Sequence, residues 1–198
     1  MQTARIAILV ALFSATMCAT SIVAQKTTAA VQSRAVYGKL SDHTYTNSVI
    51  GIKMDLPSEI QMADPQYVDV NLVPTQVPGS MFAGKTLAVK NLFSGSVMPV
   101  QIICTAMKLP AASANVTGEQ VLNDRLFRTA DGPKATVEKL GRNNFAYVDG
   151  STRYVKNRAN AIVKRGYYIS IVIMYRADGD LDALRDVIAN SDFDWNGK

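Results

Sequence analysis

Sixteen residues near the C-terminus, Ala161 to Arg176 (AIVKRGYYISIVIMYR), constrain the fold more than any other stretch of the chain. Tyr167, Ile169, Ile171, Ile173 and Tyr175 alternate along one face, and Tyr168, Val172 and Met174 along the other. The period of two predicts a strand. Apolar residues on both of its faces require it to lie inside a sheet that is covered twice. A chain with such a strand must build layers on either side of a sheet.

The rest of the chain supplies them. In VIGIKMDLP, Ile50, Ile52, Met54 and Leu56 point one way while Gly51, Lys53 and Asp55 point the other, a half-buried strand ended by Pro57. Tyr67 to Val73 reads as a weaker strand and Met98 to Met107 as a firmer one, with SGS breaking the chain before it; Lys85 to Phe93 suits a strand or a short helix. Glu119 to Arg128 reads as a helix capped by Thr117. Ala135 to Leu140, Asn144 to Val148 and Thr152 to Asn157 read as short strands joined by turns at GRN and DGS. Asp178 and Asp180 open a last helix with a Leu181, Leu184, Val187, Ile188 stripe, and Phe193 and Trp195 of the tail dock on the core.

The N-terminus sets the compartment. Arg5 and the apolar run Ile6 to Phe13, followed by small residues, have the form of a secretion signal over residues 1–24, cut after Ala24 or alternatively after Ser21. A retained anchor is the competing reading, but the apolar core is well short of the ~20 residues a span needs. Met17 before Cys18 argues against lipidation. The expectation is therefore a secreted or periplasmic protein with no stable transmembrane span after cleavage, a polar tether over residues 25–42, and a single α+β domain over 43–198, an antiparallel sheet flanked by helices. Cys104 would be the only cysteine of the processed chain, so no intrachain disulfide can form, and its apolar context VQIICTAM suits a buried thiol.

Charge is unevenly placed. Residues 125–176 hold 11 basic and 3 acidic residues, against 9 and 13 in the rest of the chain after residue 24. Arg153, Lys156, Arg158, Lys164 and Arg165 are the candidate binding residues, expected to gather at one end of the sheet and to meet an anionic protein, a lipid headgroup or a polysaccharide. No nucleic-acid module signature accompanies them, so nucleic acid is not expected.

The element order, from Tyr45 and Asn47 through GIKMDLPSEI, a middle helix, hairpins, YYISIVIMY and a terminal helix ending in SDF, resembles the PsbP/Mog1-like group of α/β/α sandwich proteins over residues 43–195. The residues after Pro57 are Ser58, Glu59 and Ile60, where that group often carries a Trp. The resemblance implies an accessory or binding role and brings no catalytic residues.

GSMFAGKT points elsewhere. Gly79, Gly84, Lys85 and Thr86 satisfy the phosphate-loop pattern GxxxxGK[ST], whose backbone N–H groups cradle phosphates while Lys reaches the terminal phosphates and Thr holds magnesium. That mechanism needs a strand running into the loop and a helix leaving it, whereas PTQVP precedes Gly79 and Asp149 in FAYVDG is a doubtful second acidic residue. A nucleotide-binding enzyme is thus the alternative to an exported binding protein. His43 is the only histidine, no metal-ligand spacing occurs, and the pairs Asp178 with Asp180 and Asp192 with Asp194 suit helix caps. No catalytic residue, metal or cofactor is assigned. NVT at Asn115 is a glycosylation sequon in a eukaryotic secretory pathway.

Overall fold

The computed structural model describes residues 36–63, 69–72 (backbone only) and 77–197, all within one compact unit, Val31–Lys198. The expected signal peptide, its expected cleavage sites and the expected tether up to residue 35 lie outside the described residues. Residues at the end of the expected tether are part of the fold: Lys39–Ser41 form strand β1, and Tyr37 is buried.

Two antiparallel sheets carry the architecture. β1, β2 (Thr44–Asn47) and β3 (Ile52–Asp55) make a small sheet in that order. The large sheet contains β4 (Gln61–Ala63), β5 (Asp69–Leu72), β6 (Leu87–Val97), β7 (Val100–Lys108), β8 (Thr136–Leu140), β9 (Asn143–Ser151), β10 (Lys156–Lys164) and β11 (Tyr167–Tyr175). Its order is β4-β6-β7-β11-β10-β9-β8, with β5 also pairing β6. β11 is the middle strand of this path, as its two apolar faces require. Ile169, Ile171 and Ile173 point into one core with Leu92, Phe93, Ile102 and Phe145, and Tyr168 joins a second core on the opposite face with Met107, Ala146 and Ala161.

The expected α/β/α sandwich is overturned. The described residues are mainly strand and contain two α-helices, α1 (Gly118–Leu122) and α2 (Asp178–Asn190). On the first face the cover is the small sheet, through Tyr45, Ile50, Ile52 and Met54, together with Leu181, Leu184 and Ile188 of α2. On the second face it is α1 and the irregular chain around Phe82 and Leu109.

The middle helix is much shorter than Glu119 to Arg128 because Asp124 leaves the helical path. Its carboxylate accepts from the Leu126 backbone N–H and from two groups across the structure, Ser80 and Met81. Thr117 does cap α1: its hydroxyl accepts from Gln120 N at 3.1 Å, and the Gln120 side chain accepts from Thr117 N at 2.8 Å. The helix lies so close to β10 that a Cβ at Gly118 would stand 2.6 Å from the Ala161 carbonyl oxygen.

Strand boundaries also move, and Thr152 to Val155, expected in a strand, form the β9–β10 turn. SGS (residues 94–96) lies inside β6, DGS (149–151) lies inside β9, and the single strand expected from Ala161 to Arg176 is two strands turning at Arg165 and Gly166. Phe193 is buried against Phe145, and the tail makes an antiparallel bridge from Asp192 to Lys53 of β3. Trp195 is only half-buried. No helix among the described residues is long and apolar enough to cross a membrane.

Candidate functional site

The five basic residues do not gather. Lys156 opens β10 and Lys164 closes it, which separates them by about 26 Å at ~3.3 Å per residue. Each end has its own partners. Lys156 Nζ lies 2.9 Å from Asp178 Oδ1, and that hydrogen bond raises its pKa. Lys164 Nζ reaches both carboxylate oxygens of Asp194, at 3.0 and 3.1 Å. Arg165, with φ 51° in the β10–β11 turn, donates to the carbonyl oxygens of Ser48, Asp194 and Trp195 and so ties the tail to the β2–β3 loop.

Arg158 is a structural group. Its Nε and Nη2 bond Asp149 at 2.7 and 2.8 Å, its Nη1 bonds Glu138 at 3.2 Å, and its guanidinium lies 4.0 Å over the Tyr147 ring. The bond to Asp149 is the largest cause of its raised pKa. Glu138 in turn accepts from Arg185 at 2.6 Å, so the network fastens α2 to β8, β9 and β10. With only 12% of the Arg158 side chain and 16% of the Glu138 side chain exposed, this pairing occupies the charge that the sequence offered to a partner. Of the five, Arg153 alone has neither a carboxylate nor a backbone carbonyl partner among the described residues; its guanidinium sits 5.6 Å from the Tyr154 ring centroid.

The Gly79, Gly84, Lys85, Thr86 segment is a run of tight turns that leads into strand β6, with no helix following it. Asp124 holds it: Ser80 Oγ donates to Oδ1 at 2.6 Å and the Met81 N–H donates to Oδ2 at 2.8 Å, while Phe82 is fully buried below. Lys85 Nζ is turned onto the Met81 carbonyl at 3.0 Å. The adjoining depression, about 490 Å³, is lined by Glu119 and Asp124 as well as by Arg125. The Asp124 carboxylate takes loop donors that a phosphate would need, and the strand–loop–helix setting is missing.

Cys104 is wholly buried in β7, and burial pushes its thiol pKa up, away from thiolate chemistry. His43 occupies the β1–β2 turn with φ 63°. Among the described residues no three His, Cys, Asp or Glu side chains stand close enough to hold a metal.

A different surface stands out at one end of the large sheet. The β6–β7 turn presents Met98, 88% exposed, beside Val97 and Pro99. The β9–β10 turn presents Tyr154, 72% exposed, beside Arg153. Thr152 builds this second tip: its N–H donates to the Val155 carbonyl at 2.8 Å and its hydroxyl accepts from Val155 N at 3.2 Å.

Register places both tips at the same end, since Ser96, Gln101, Met174, Asn157 and Gly150 form one cross-strand row just below them. The next row on the same face is Ser94, Ile103, Val172, Ala159 and Val148. Neither row contains a charge, and all ten residues are half-buried or exposed. No family model, curated protein or solved structure matches the chain.

Sequence reasoning weighed charge and missed this end, although a signal was present. VMPV places a large apolar side chain in a two-residue connection between strands, where turn residues are ordinarily small or polar.

Proposed function

We propose that this is an exported binding or accessory protein, secreted or periplasmic, that engages an anionic partner with the hairpin end of its large sheet. The observation that carries the reading is the coincidence of the two most exposed large hydrophobic side chains, Met98 and Tyr154, at one end of one sheet. Exposed apolar side chains gathered beyond ordinary scatter mark contact surfaces. Arg153 and Arg176, both exposed, supply positive charge there, and Lys156 shares its charge with Asp178. The resemblance of the sequence to PsbP/Mog1-like proteins supports an accessory role, while the α/β/α sandwich is not adopted. No observation favours the nucleotide-binding alternative, because Asp124 and Met81 hold the groups that the phosphate loop would have to offer.

Met98 is its own reporter. Mild peroxide should oxidise it fastest in the purified chain and much more slowly when the membrane and envelope fraction of the producing cells is added, while half-buried Met174 changes little. Equal oxidation of Met98 with and without that fraction would remove the contact surface from consideration.

A further inference from the structure

We infer that the hairpin end attaches the protein to the surface of a phospholipid bilayer, with Met98 and Tyr154 entering the interfacial layer. The inference rests on the reading above that this end is the contact surface, and it names the partner. The two tips lie on separate hairpins. With β11 between β7 and β10, their centres are about 14 Å apart at ~4.8 Å per strand. Two spaced points of contact at one sheet end suit a plane better than a groove, which would ask for one contiguous ridge.

The side chains have the chemistry of the boundary. Methionine is apolar and flexible, and tyrosine belongs where hydrocarbon meets water, with its ring in one and its hydroxyl in the other. Arg153, with its guanidinium beside the Tyr154 ring, Lys156 and Arg176 lie level with the headgroups in that pose. Asp178 is bonded to Lys156 and Asp149 to Arg158, and Asp180 and exposed Glu59 are further carboxylates at this end, so the positive charge left for a partner is that of Arg153 and Arg176 beside the tips. Attachment is therefore driven by the tips and strengthened by anionic lipid. The two charge-free rows below the tips let the sheet lean toward the surface without bringing a carboxylate to the phosphates. Two small anchors give reversible binding, far short of an inserted span.

The full chain carries the test. Met98→Trp and Tyr154→Trp place reporters at the tips, and Arg142→Trp places one in the β8–β9 turn at the opposite end, near which Arg165 also holds Trp195. All three replaced side chains are exposed. With vesicles of equal phosphatidylcholine and phosphatidylglycerol whose acyl chains are brominated, fluorescence should be quenched at positions 98 and 154 and unchanged at 142. Attachment by the N-terminal segment alone would quench none of them. Replacing Arg153 and Arg176 by Gln should lower partitioning about fivefold per residue on these vesicles. Absence of quenching at 98 and 154, or equal quenching at 142, overturns the inference. Protection of Met98 by the cell fraction but not by protein-free vesicles leaves the contact surface standing and points to a protein partner. Protection by neither removes both.

Discussion

Asp124→Asn tests whether a carboxylate, and not a phosphate, organises the Gly79 to Thr86 segment. Asp124 is almost fully buried, and its Oδ1 accepts from Ser80 Oγ at 2.6 Å and Leu126 N at 2.9 Å while its Oδ2 accepts from Met81 N at 2.8 Å. Asparagine keeps one acceptor oxygen, which can retain the first two bonds without the charge. Its NH2 then faces the Met81 N–H, two donors with no acceptor between them. An abandoned donor costs about 1–3 kcal/mol, and losing charge assistance weakens the other two bonds.

The expected total is roughly 2–3 kcal/mol, and Asp124→Ala, which strands three donors, should cost roughly 4 kcal/mol. At ~2–4 °C per kcal/mol for a domain of this size, Asp124→Asn lowers Tm by about 5–10 °C. Urea unfolding followed through Trp195 should show a shifted midpoint at an unchanged slope. Ser80→Ala should cost about 1–2 kcal/mol, and the double variant less than the sum, because the two share a bond. A cost below ~1 kcal/mol for Asp124→Asn, within the range of ordinary surface changes, would refute the argument.

Lys85→Ala should leave stability within ~0.5 kcal/mol, and magnesium-ATP should not raise Tm; a site filled at a hundredfold excess over its Kd would add ~2.7 kcal/mol, so a Lys85-dependent rise would restore the nucleotide reading. Ile171 is fully buried in the central strand between Asn160 and Cys104, and Ile171→Ala should cost roughly 2–5 kcal/mol in urea unfolding; less than ~1 kcal/mol would show that β11 is not the core of the sheet. Because burial raises the Cys104 thiol, the folded chain keeps its proton where the unfolded chain loses it, so stability falls as pH climbs past ~8.5, by at most ~1.4 kcal/mol per pH unit. Cys104→Ala should flatten that fall between pH ~8.5 and ~9, before unfolded tyrosines with a pKa near ~10 ionise appreciably; an unchanged slope would exclude the thiol as its source.

Periodicity made several elements legible before any coordinates. The alternation of Ile50, Ile52, Met54 and Leu56 is reproduced as four buried side chains, and the α2 stripe and the Thr117 cap stand where spacing puts them. What failed was punctuation. SGS reads as a break, yet Gly95 sits in β6 because a Cβ there would come within 2.6 Å of Ile60 and Met62 side chains; the glycine answers to packing. Arg165 and Gly166 read as strand because arginine seldom turns a chain, and what stabilises its positive φ is three carbonyl oxygens that lie far away in sequence.

The charge cluster misled for the same reason. Counting residues 125–176 could not show that Glu138, Asp149, Asp178 and Asp194 would each be brought to a basic side chain by the register of β8 to β10 or by α2 and the tail.

The docking of the tail also fixes when the domain can be finished. Phe193 belongs to the same core as Tyr45 and Ile52, Asp192 bridges to Lys53, and Arg165 joins Ser48 to residues 194 and 195. The first strands described and residues 192–195 close on one another across more than 130 residues of chain. During synthesis the small sheet therefore waits, incompletely covered, until residues 192–195 have emerged. A domain whose small sheet is covered by so distant a segment stays open to exchange with solvent until that segment arrives.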